Sequence, residues 1–173
     1  TQNMKKLVAS FALFTMLMAC QSKTESTANV NYPENAAGYN LDSTANTETV
    51  INTIKAMQAW DTAKYRSYYA NDAKFHDNLD SMSLDQNVQM ISTFKEHGVS
   101  VKIISTSPNW EVVNKVASPD GVTNYVVSYI TVEFIKGDKS VKVLMNTVDA
   151  FKDGKIVEEW NTYDGSKMYD LLK

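Results

Sequence analysis

The chain has 173 residues, a formal net charge of −3 and a hydrophobic fraction of 43%. This length fits one domain, and the hydrophobic fraction argues against a chain that is disordered throughout. The negative charge provides no basic surface, so we expect no nucleic-acid partner. The single cysteine excludes an intramolecular disulfide.

The first predicted element is a leader peptide. Lys5 and Lys6 precede an apolar run from Leu7 to Ala19, which is shorter than the ~20 residues of a membrane-spanning helix. The run ends in Leu17-Met18-Ala19-Cys20, which resembles the lipobox of bacterial lipoprotein signal peptides. An uncleaved anchor or a buried helix would explain the apolar run but not this order of segments. We therefore expect cleavage before Cys20, lipidation of Cys20, and a lipid anchor that holds the protein in the cell envelope, on its periplasmic or outer-surface side.

A polar segment rich in Ser, Thr, Asn and Ala follows the lipobox. It has too few apolar residues to offset the entropy of ordering, so it is predicted to be a flexible tether. The predicted organisation is a signal peptide over residues 1–19, a lipidated cysteine and linker over 20–45, and one domain over 46–173.

Helical spacing opens the predicted domain. Apolar residues from Val50 to Trp60 recur at intervals of three and four, which predicts a helix capped by Asn46 or Thr47. Asp61 is a suitable N-cap for a second, short helix. The alternation over Ala73–Asn78 then predicts a short strand.

A third helix and a run of strands complete the domain. Ser83-Leu84-Asp85-Gln86 reads as a capping box, and His97-Gly98 as the end of the helix that it opens. Pro108 predicts a bend in one long strand, and Asp153-Gly154 predicts a tight hairpin. A final short helix is predicted over Lys167–Leu172. The predicted strands are Val99–Ile104, Trp110–Val116, Val122–Ile135, Ser140–Phe151 and Lys155–Tyr163. This order predicts an α+β fold with the helices packed on one face of a strongly curved antiparallel sheet.

Three phrases of the domain resemble the SnoaL-like branch of the nuclear transport factor 2 (NTF2) superfamily. They are Ala59-Trp60-Asp61 with Tyr69–Phe75 after it, Phe151–Ile156, and Glu159–Asp164. The resemblance implies an NTF2-like (cystatin-like) cone, in which helices close a bent sheet around a pocket. It leaves the activity open, because the superfamily includes isomerases, dehydratases, polyketide cyclases and proteins that only bind or dimerise.

Four side chains are candidates for acid–base catalysis. His76 and Asp77 are adjacent on a predicted strand and therefore point to opposite faces, with Asp77 on the face of Phe75. Asp164 matches a position at the pocket mouth in the resembled family, but it also suits the N-cap of the last helix, which we favour. Asp149 is a candidate general base if it faces inward, where burial would raise its pKa.

Aromatic residues from the helices and strands should converge inside the cone. Core packing explains most of them, but tyrosine and tryptophan can also line a pocket for a flat or apolar molecule. Asn146 lies on the face of its strand opposite to Asp149, so one of the two faces inward. The predicted pocket-lining residues are Trp60, Tyr65, Tyr69, Trp110, Tyr129, Asn146 and Trp160.

No metal or cofactor motif is visible in the sequence. The two histidines and the single cysteine offer few metal ligands, and no glycine-rich loop could hold phosphate. We therefore expect neither a metal nor a cofactor. The favoured hypothesis is a membrane-tethered domain that binds a small apolar molecule or a partner in its cone. The alternative is a cofactor-free isomerase, dehydratase or cyclase with an Asp or His general base. A third hypothesis is a homodimer formed through the open face of the sheet.

Overall fold

A computed structural model of the chain describes residues 38–173. The predicted signal peptide, Cys20 and most of the predicted linker lie outside these residues, so lipidation and membrane anchoring stay predictions. Within the described range, no helix combines the length and the apolar character that crossing a membrane requires.

Eight strands and four α-helices make up the described part of the chain. The strands are β1 (Gly38–Leu41), β2 (Tyr69–Asp77), β3 (Asp80–Ser83), β4 (Ser100–Ser105), β5 (Asn109–Asn114), β6 (Asn124–Lys136), β7 (Lys139–Lys152) and β8 (Lys155–Thr162). The helices are α1 (Ala45–Gln58), α2 (Thr62–Arg66), α3 (Leu84–Glu96) and α4 (Ser166–Tyr169), and a 3₁₀ turn (Asp170–Leu172) ends the chain.

All eight strands belong to one sheet, in the order β1-β5-β6-β7-β8-β2-β3. β4 and β5 pair antiparallel with successive parts of the same edge of β6, so they form one line of strand interrupted near Pro108. This agrees with the predicted bend. The predicted hairpin at Asp153-Gly154 is also present, and both residues have the positive φ that such a turn requires.

The core lies between the helices and the inner face of the sheet. α1 contributes Val50 and Ile54, and α3 contributes Ile91 and Phe94, to the same apolar cluster as the buried residues of the long strands. Phe75 is fully buried at the centre of β2. Because strand side chains alternate between faces, each strand gives one set of residues to this interior and the other set to the outer face.

The α+β layout is confirmed, but the sheet is mixed rather than wholly antiparallel. β2 lies parallel to β8, with Phe75 opposite Glu159 and Asp77 opposite Asn161. No local signal in the sequence reports this pairing, because it joins strands separated by about half of the chain. The pairing brings the acidic residues Asp77 of β2 and Glu159 of β8 near each other at the interior.

Two strands were not predicted. β1 lies within the range predicted as linker and pairs with the edge of β5, and α1 begins at Ala45, so ordered structure starts before residue 46. With four residues, β1 is at the lower limit of length at which alternation predicts a strand. β3 is a short strand that pairs antiparallel with β2 after a turn at Asn78, which has a φ of 55°.

The helix caps were predicted with two errors, one at α1 and one at α4, where the N-cap is Gly165 rather than Asp164. Ser83 and Gln86 form the predicted capping box, and Asp61 caps α2 by accepting from the Lys64 amide. For α1, however, the N-cap is Thr44 rather than Asn46 or Thr47, and Thr47 is the reciprocal partner in its capping box. A threonine at the third position fills the role usually held by Glu or Gln.

Candidate active site in the cone

The interior of the cone contains a cavity of about 70 Å³ between α1, α3 and the inner face of the sheet. Most of its wall is apolar, and four of its residues are methionines, whose flexible side chains can adapt to different ligands. The polar residues on its wall are Thr53, Tyr65, Tyr69, Asp77, Asn87, Thr147, Asp149, Glu159, Asn161 and Tyr163. Except for Thr53, these residues are linked by hydrogen bonds, which makes the cavity a candidate site for chemistry.

Two buried carboxyl groups lie at the centre of this network. Asp149 on β7 is directly opposite Glu159 on β8, and the exposed fractions of the two residues are 2% and 8%. Each carboxyl group is close enough to shift the pKa of the other. Because two buried carboxylates side by side repel one another, the pair favours a state in which one of them is protonated.

The surroundings assign that proton to Asp149. Burial raises the pKa of the Asp149 carboxyl well above its ordinary range, and the neighbouring Glu159 raises it further. Burial also raises the pKa of Glu159, but hydrogen bonds from Tyr69 and Asn161 act in the opposite direction. The hydrogen bonds thus favour the charged form of Glu159, which accepts from Tyr69 and Asn161, and leave Asp149 as the member of the pair that favours its protonated form.

Two tyrosines connect the carboxylate to α3. Tyr69 donates to Glu159 Oε2 at 2.6 Å, and its hydroxyl oxygen is 3.1 Å from the Tyr65 hydroxyl. Tyr65 in turn donates to Asn87 Oδ1 at 3.0 Å. Burial raises the pKa of both tyrosines well above its ordinary value, so both stay protonated and act as donors.

A third carboxyl group, that of Asp77, is held on the other side of the network. Asn161 donates from its amide nitrogen to Asp77 Oδ1 at 2.9 Å and to Glu159 Oε1 at 2.7 Å. Tyr163 donates to Asp77 Oδ2 at 3.1 Å. Burial is the main cause that raises the pKa of Tyr163, followed by the charge of Asp77, so its hydroxyl is also a protonated donor.

The four predicted catalytic residues divide into two inside the cone and two outside it. Asp77 and Asp149 lie on the cavity wall. His76 points to the opposite face of β2, where its ring stacks on Trp160 and its Nε2 is 2.7 Å from Glu158 Oε1. This corrects the prediction for His76, whose neighbour Asp77 occupies the inward position of the strand.

Asp164 also lies away from the cavity. Its Oδ1 accepts from the Ser166 amide at 3.0 Å just before α4, whose N-cap is Gly165 rather than Asp164, the N-cap that the sequence favoured. The hydrogen bonds from Ser166 lower the pKa of the exposed Asp164 carboxyl. Asp164 is therefore corrected from a catalytic candidate to a residue that stabilises a turn.

The predicted pocket-lining residues also divide into some inside the cone and some outside it. Trp60, Tyr65 and Tyr69 lie on the cavity wall. The other four predicted pocket residues do not, because each occupies a strand position whose side chain points to the outer face. Those four are Trp110, Tyr129, Asn146 and Trp160, of which Trp110 and Tyr129 stack on each other and Trp160 lines a surface groove.

Sequence reasoning missed Glu159 and Asn161. Period-two alternation places Glu159, Asn161 and Tyr163 on one face of β8 and Trp160 on the other. The apolar character of Trp160 favoured that residue as the inward one, whereas the structure turns the polar residues inward. The signal that could have found Glu159 is its position directly opposite Asp149 in the β7–β8 hairpin. That position is known only once the register of the two strands is known.

Other expectations about partners stay predictions. Among residues 38–173, no group of three or more His, Cys, Asp or Glu side chains is placed to hold a metal ion. The outer face of the sheet exposes Tyr129 and Leu144, which is compatible with the expected homodimer but does not test it.

Comparison with known proteins identifies the class of fold. No sequence profile of a known family and no curated protein sequence matches the chain. Solved structures do match. An LEH-like epoxide hydrolase of M. tuberculosis is 18% identical, with a TM-score of 0.53 over 76% of this chain and 92% of that one.

Two further structures support the same class. An NTF2-like protein of unknown function from Burkholderia pseudomallei is 14% identical, with a TM-score of 0.54 over 76% of this chain and 99% of that one. IdmH of Streptomyces antibioticus, a proposed polyketide cyclase, is 15% identical, with a TM-score of 0.52 over 73% and 96%. The described part of the chain has the NTF2-like fold, and the predicted fold class is confirmed.

Proposed function

We propose that the cone binds a small, mainly apolar molecule and that Asp149 and Glu159 transfer protons to and from it. The observation that carries this proposal is the pair of buried carboxyl groups that face each other on the cavity wall. Burying two ionisable groups side by side costs stability, and such costs are concentrated at functional sites. The proposal thus combines the predicted binding role with the predicted acid–base alternative.

The two carboxyl groups would have different roles. Asp149 is the general acid, because burial keeps its proton in place near neutral pH. Glu159 is the general base, and Tyr69 and Asn161 orient its two oxygens. After a proton leaves Asp149 for the ligand and another arrives at Glu159, a transfer across the pair restores the starting state. Isomerisation, or the elimination or addition of water, fits this cycle.

The neighbouring structures are compatible with this class of reaction. They include an LEH-like epoxide hydrolase and a proposed polyketide cyclase. Sequence identities of 18% and 15% support the fold and do not identify a substrate.

The experiment is hydrogen–deuterium exchange at carbon. The full chain would be incubated in D₂O with a panel of small ketones, enols and hydroxy ketones, and deuterium uptake beside the carbonyl carbon would be followed by NMR. Glu159→Gln removes the proposed base. Glu158→Gln is the matched control, because Glu158 is the adjacent residue of β8 and contacts His76 on the outer face.

We expect the wild-type protein to catalyse the exchange. Glu159→Gln should reduce its rate by at least about 100-fold, in the range typical of general acid–base catalysis, and Glu158→Gln should retain it. Equal rates with the wild-type protein and Glu159→Gln would contradict the proposal.

Binding without turnover is the second candidate. The observation in its favour is the mainly apolar cavity wall with its methionines, which suits the binding of an apolar ligand whether or not a reaction follows. Mass spectrometry of the purified full chain would detect a bound small molecule. Recovery of that molecule unchanged after incubation with fresh protein would favour this candidate.

We also propose that the domain is held in the cell envelope by a lipid on Cys20. The support is the sequence alone, namely the basic residues, the apolar run and the lipobox-like end of the leader. Fractionation of cells that express the wild-type chain or Cys20→Ser is the test. We expect the wild-type protein in the membrane fraction with acyl chains on Cys20 by mass spectrometry. Equal membrane recovery of Cys20→Ser would contradict the proposal.

A further inference from the structure

One polar atom in the cavity has no protein partner. Among the side chains that the structure describes, Asn161 Oδ1 is the one buried nitrogen or oxygen without a hydrogen bond. The exposed fraction of Asn161 is 5%, and the residue lies on the cavity wall. A buried acceptor without a donor is destabilising, so it calls for a physical explanation.

The orientation of the Asn161 amide is set by its neighbours. Its nitrogen donates to Asp77 Oδ1 and to Glu159 Oε1, and an ionised carboxylate can only accept hydrogen bonds. Turning the amide over would place Oδ1 against both carboxyl groups and lose both bonds. Oδ1 is therefore the end of the amide that remains available to a ligand.

The tyrosine hydroxyl groups around the cavity are already engaged with other acceptors. Tyr65 donates to Asn87, Tyr69 to Glu159, and Tyr163 to Asp77. None of them can satisfy Asn161 Oδ1 without leaving another buried acceptor unpaired. A donor supplied by the ligand would complete the network.

We infer that Asn161 selects the ligand by accepting a hydrogen bond from its hydroxyl group, so that the ligand of the cone is a small apolar alcohol. This inference rests on the proposed function and gives it a ligand class. A ketone or ether of the same shape would place a second acceptor against Asn161 Oδ1 and leave both unpaired, which a buried site discriminates against strongly.

The cavity volume limits the size of the probe. About 70 Å³ is less than half of an engineered cavity of ~150 Å³ that binds benzene. A molecule with four carbon atoms is therefore a reasonable probe. The pair 2-butanol and 2-butanone shares a carbon skeleton and differs at the group that would face Asn161.

The experiment is a titration of the ¹⁵N-labelled full chain with each probe, followed by NMR at the Asn161 side-chain amide and at backbone amides around the cavity. We expect 2-butanol to bind at least about fivefold more tightly than 2-butanone, as one buried hydrogen bond implies. In Asn161→Leu this preference should disappear. Asn146→Leu is the control, since Asn146 is an asparagine on the outer face of β7 and is not on the cavity wall.

The outcomes separate this inference from the proposed function. Equal affinity of the wild-type protein for the two probes overturns the role of Asn161 while leaving a binding cavity. A preference for the alcohol that persists in Asn161→Leu overturns it as well. Absence of binding by either probe overturns the inference together with the binding site. The comparison of the two probes with the wild-type chain needs no variant, so it decides the question even if Asn161→Leu does not fold.

Discussion

Asp149 and Glu159 face each other across the β7–β8 hairpin with their carboxyl groups buried in the same cavity. The pairing arises from strand register, because each residue occupies an inward position of its strand. Asn161 and Tyr69 then bind the Glu159 oxygens from two sides. These hydrogen bonds favour the charged form of Glu159, whereas burial favours the protonated form of Asp149.

The first prediction concerns the pH dependence of stability. Burial raises the pKa of Asp149 in the folded protein, so the folded state binds more protons than the unfolded state above the ordinary Asp pKa. This residue therefore contributes a loss of stability as pH rises from that value towards the folded pKa, with a slope of up to about 1.4 kcal/mol per pH unit. Asp149→Asn, which resembles the protonated form, should reduce this slope in urea titrations at several pH values. An unchanged slope would contradict the protonation assigned to Asp149.

The second prediction concerns the hydroxyl of Tyr69. Tyr69→Phe removes a donor from the buried Glu159 carboxylate, and we expect the free energy of unfolding to fall by about 1–3 kcal/mol. The pKa of Glu159 should rise, because one bond to its charged form is lost. Tyr68→Phe is the control, since Tyr68 is half-buried and its hydroxyl makes no hydrogen bond to the described residues. Equal effects of the two substitutions in chemical denaturation would show that the Tyr69 bond is not stabilising.

The third prediction concerns the centre of the core. Phe75 is fully buried in β2, which is held against β8 and the helices, so Phe75→Ala should cost about 3–5 kcal/mol. Leu79 lies two residues beyond β2 and is fully exposed, and Leu79→Ala should change stability by less than about 0.5 kcal/mol. Thermal and chemical denaturation would measure both. A small effect of Phe75→Ala would mean that β2 is not part of the core.

The fourth prediction concerns the β7–β8 turn that sets the register of the carboxyl pair. Gly154 has a φ of 72°, and nothing lies within 4 Å of a Cβ placed there, so Gly154→Ala should cost about 1 kcal/mol through backbone strain alone. Asparagine tolerates this conformation, so Gly154→Asn should cost less. Equal stabilities of the alanine and asparagine variants would contradict the turn conformation.

Local patterns in the sequence were sufficient for much of the fold. The capping box at Ser83, the N-cap at Asp61, the Asp153-Gly154 turn and the alternation of the long strands each involve residues within a few positions of one another. Such signals act through neighbouring backbone groups, so the sequence reports them directly. The same alternation placed Asp77 on the inward face with Phe75, and the structure places both there.

The candidate site depended on contacts between distant parts of the chain. The parallel pairing of β2 with β8 brings Asp77 beside Asn161, and the hairpin register brings Asp149 opposite Glu159. Whether a polar or an aromatic residue of β8 faces the interior depends on the hydrogen-bond partners that the interior offers. Those partners come from β2, β7 and the helices. The sequence by itself determined the elements and the faces of most strands. The tertiary structure alone decided that Glu159 and Asn161, rather than Trp160, face the interior, because burying a charged group is tolerable only where other segments supply its proton and its donors.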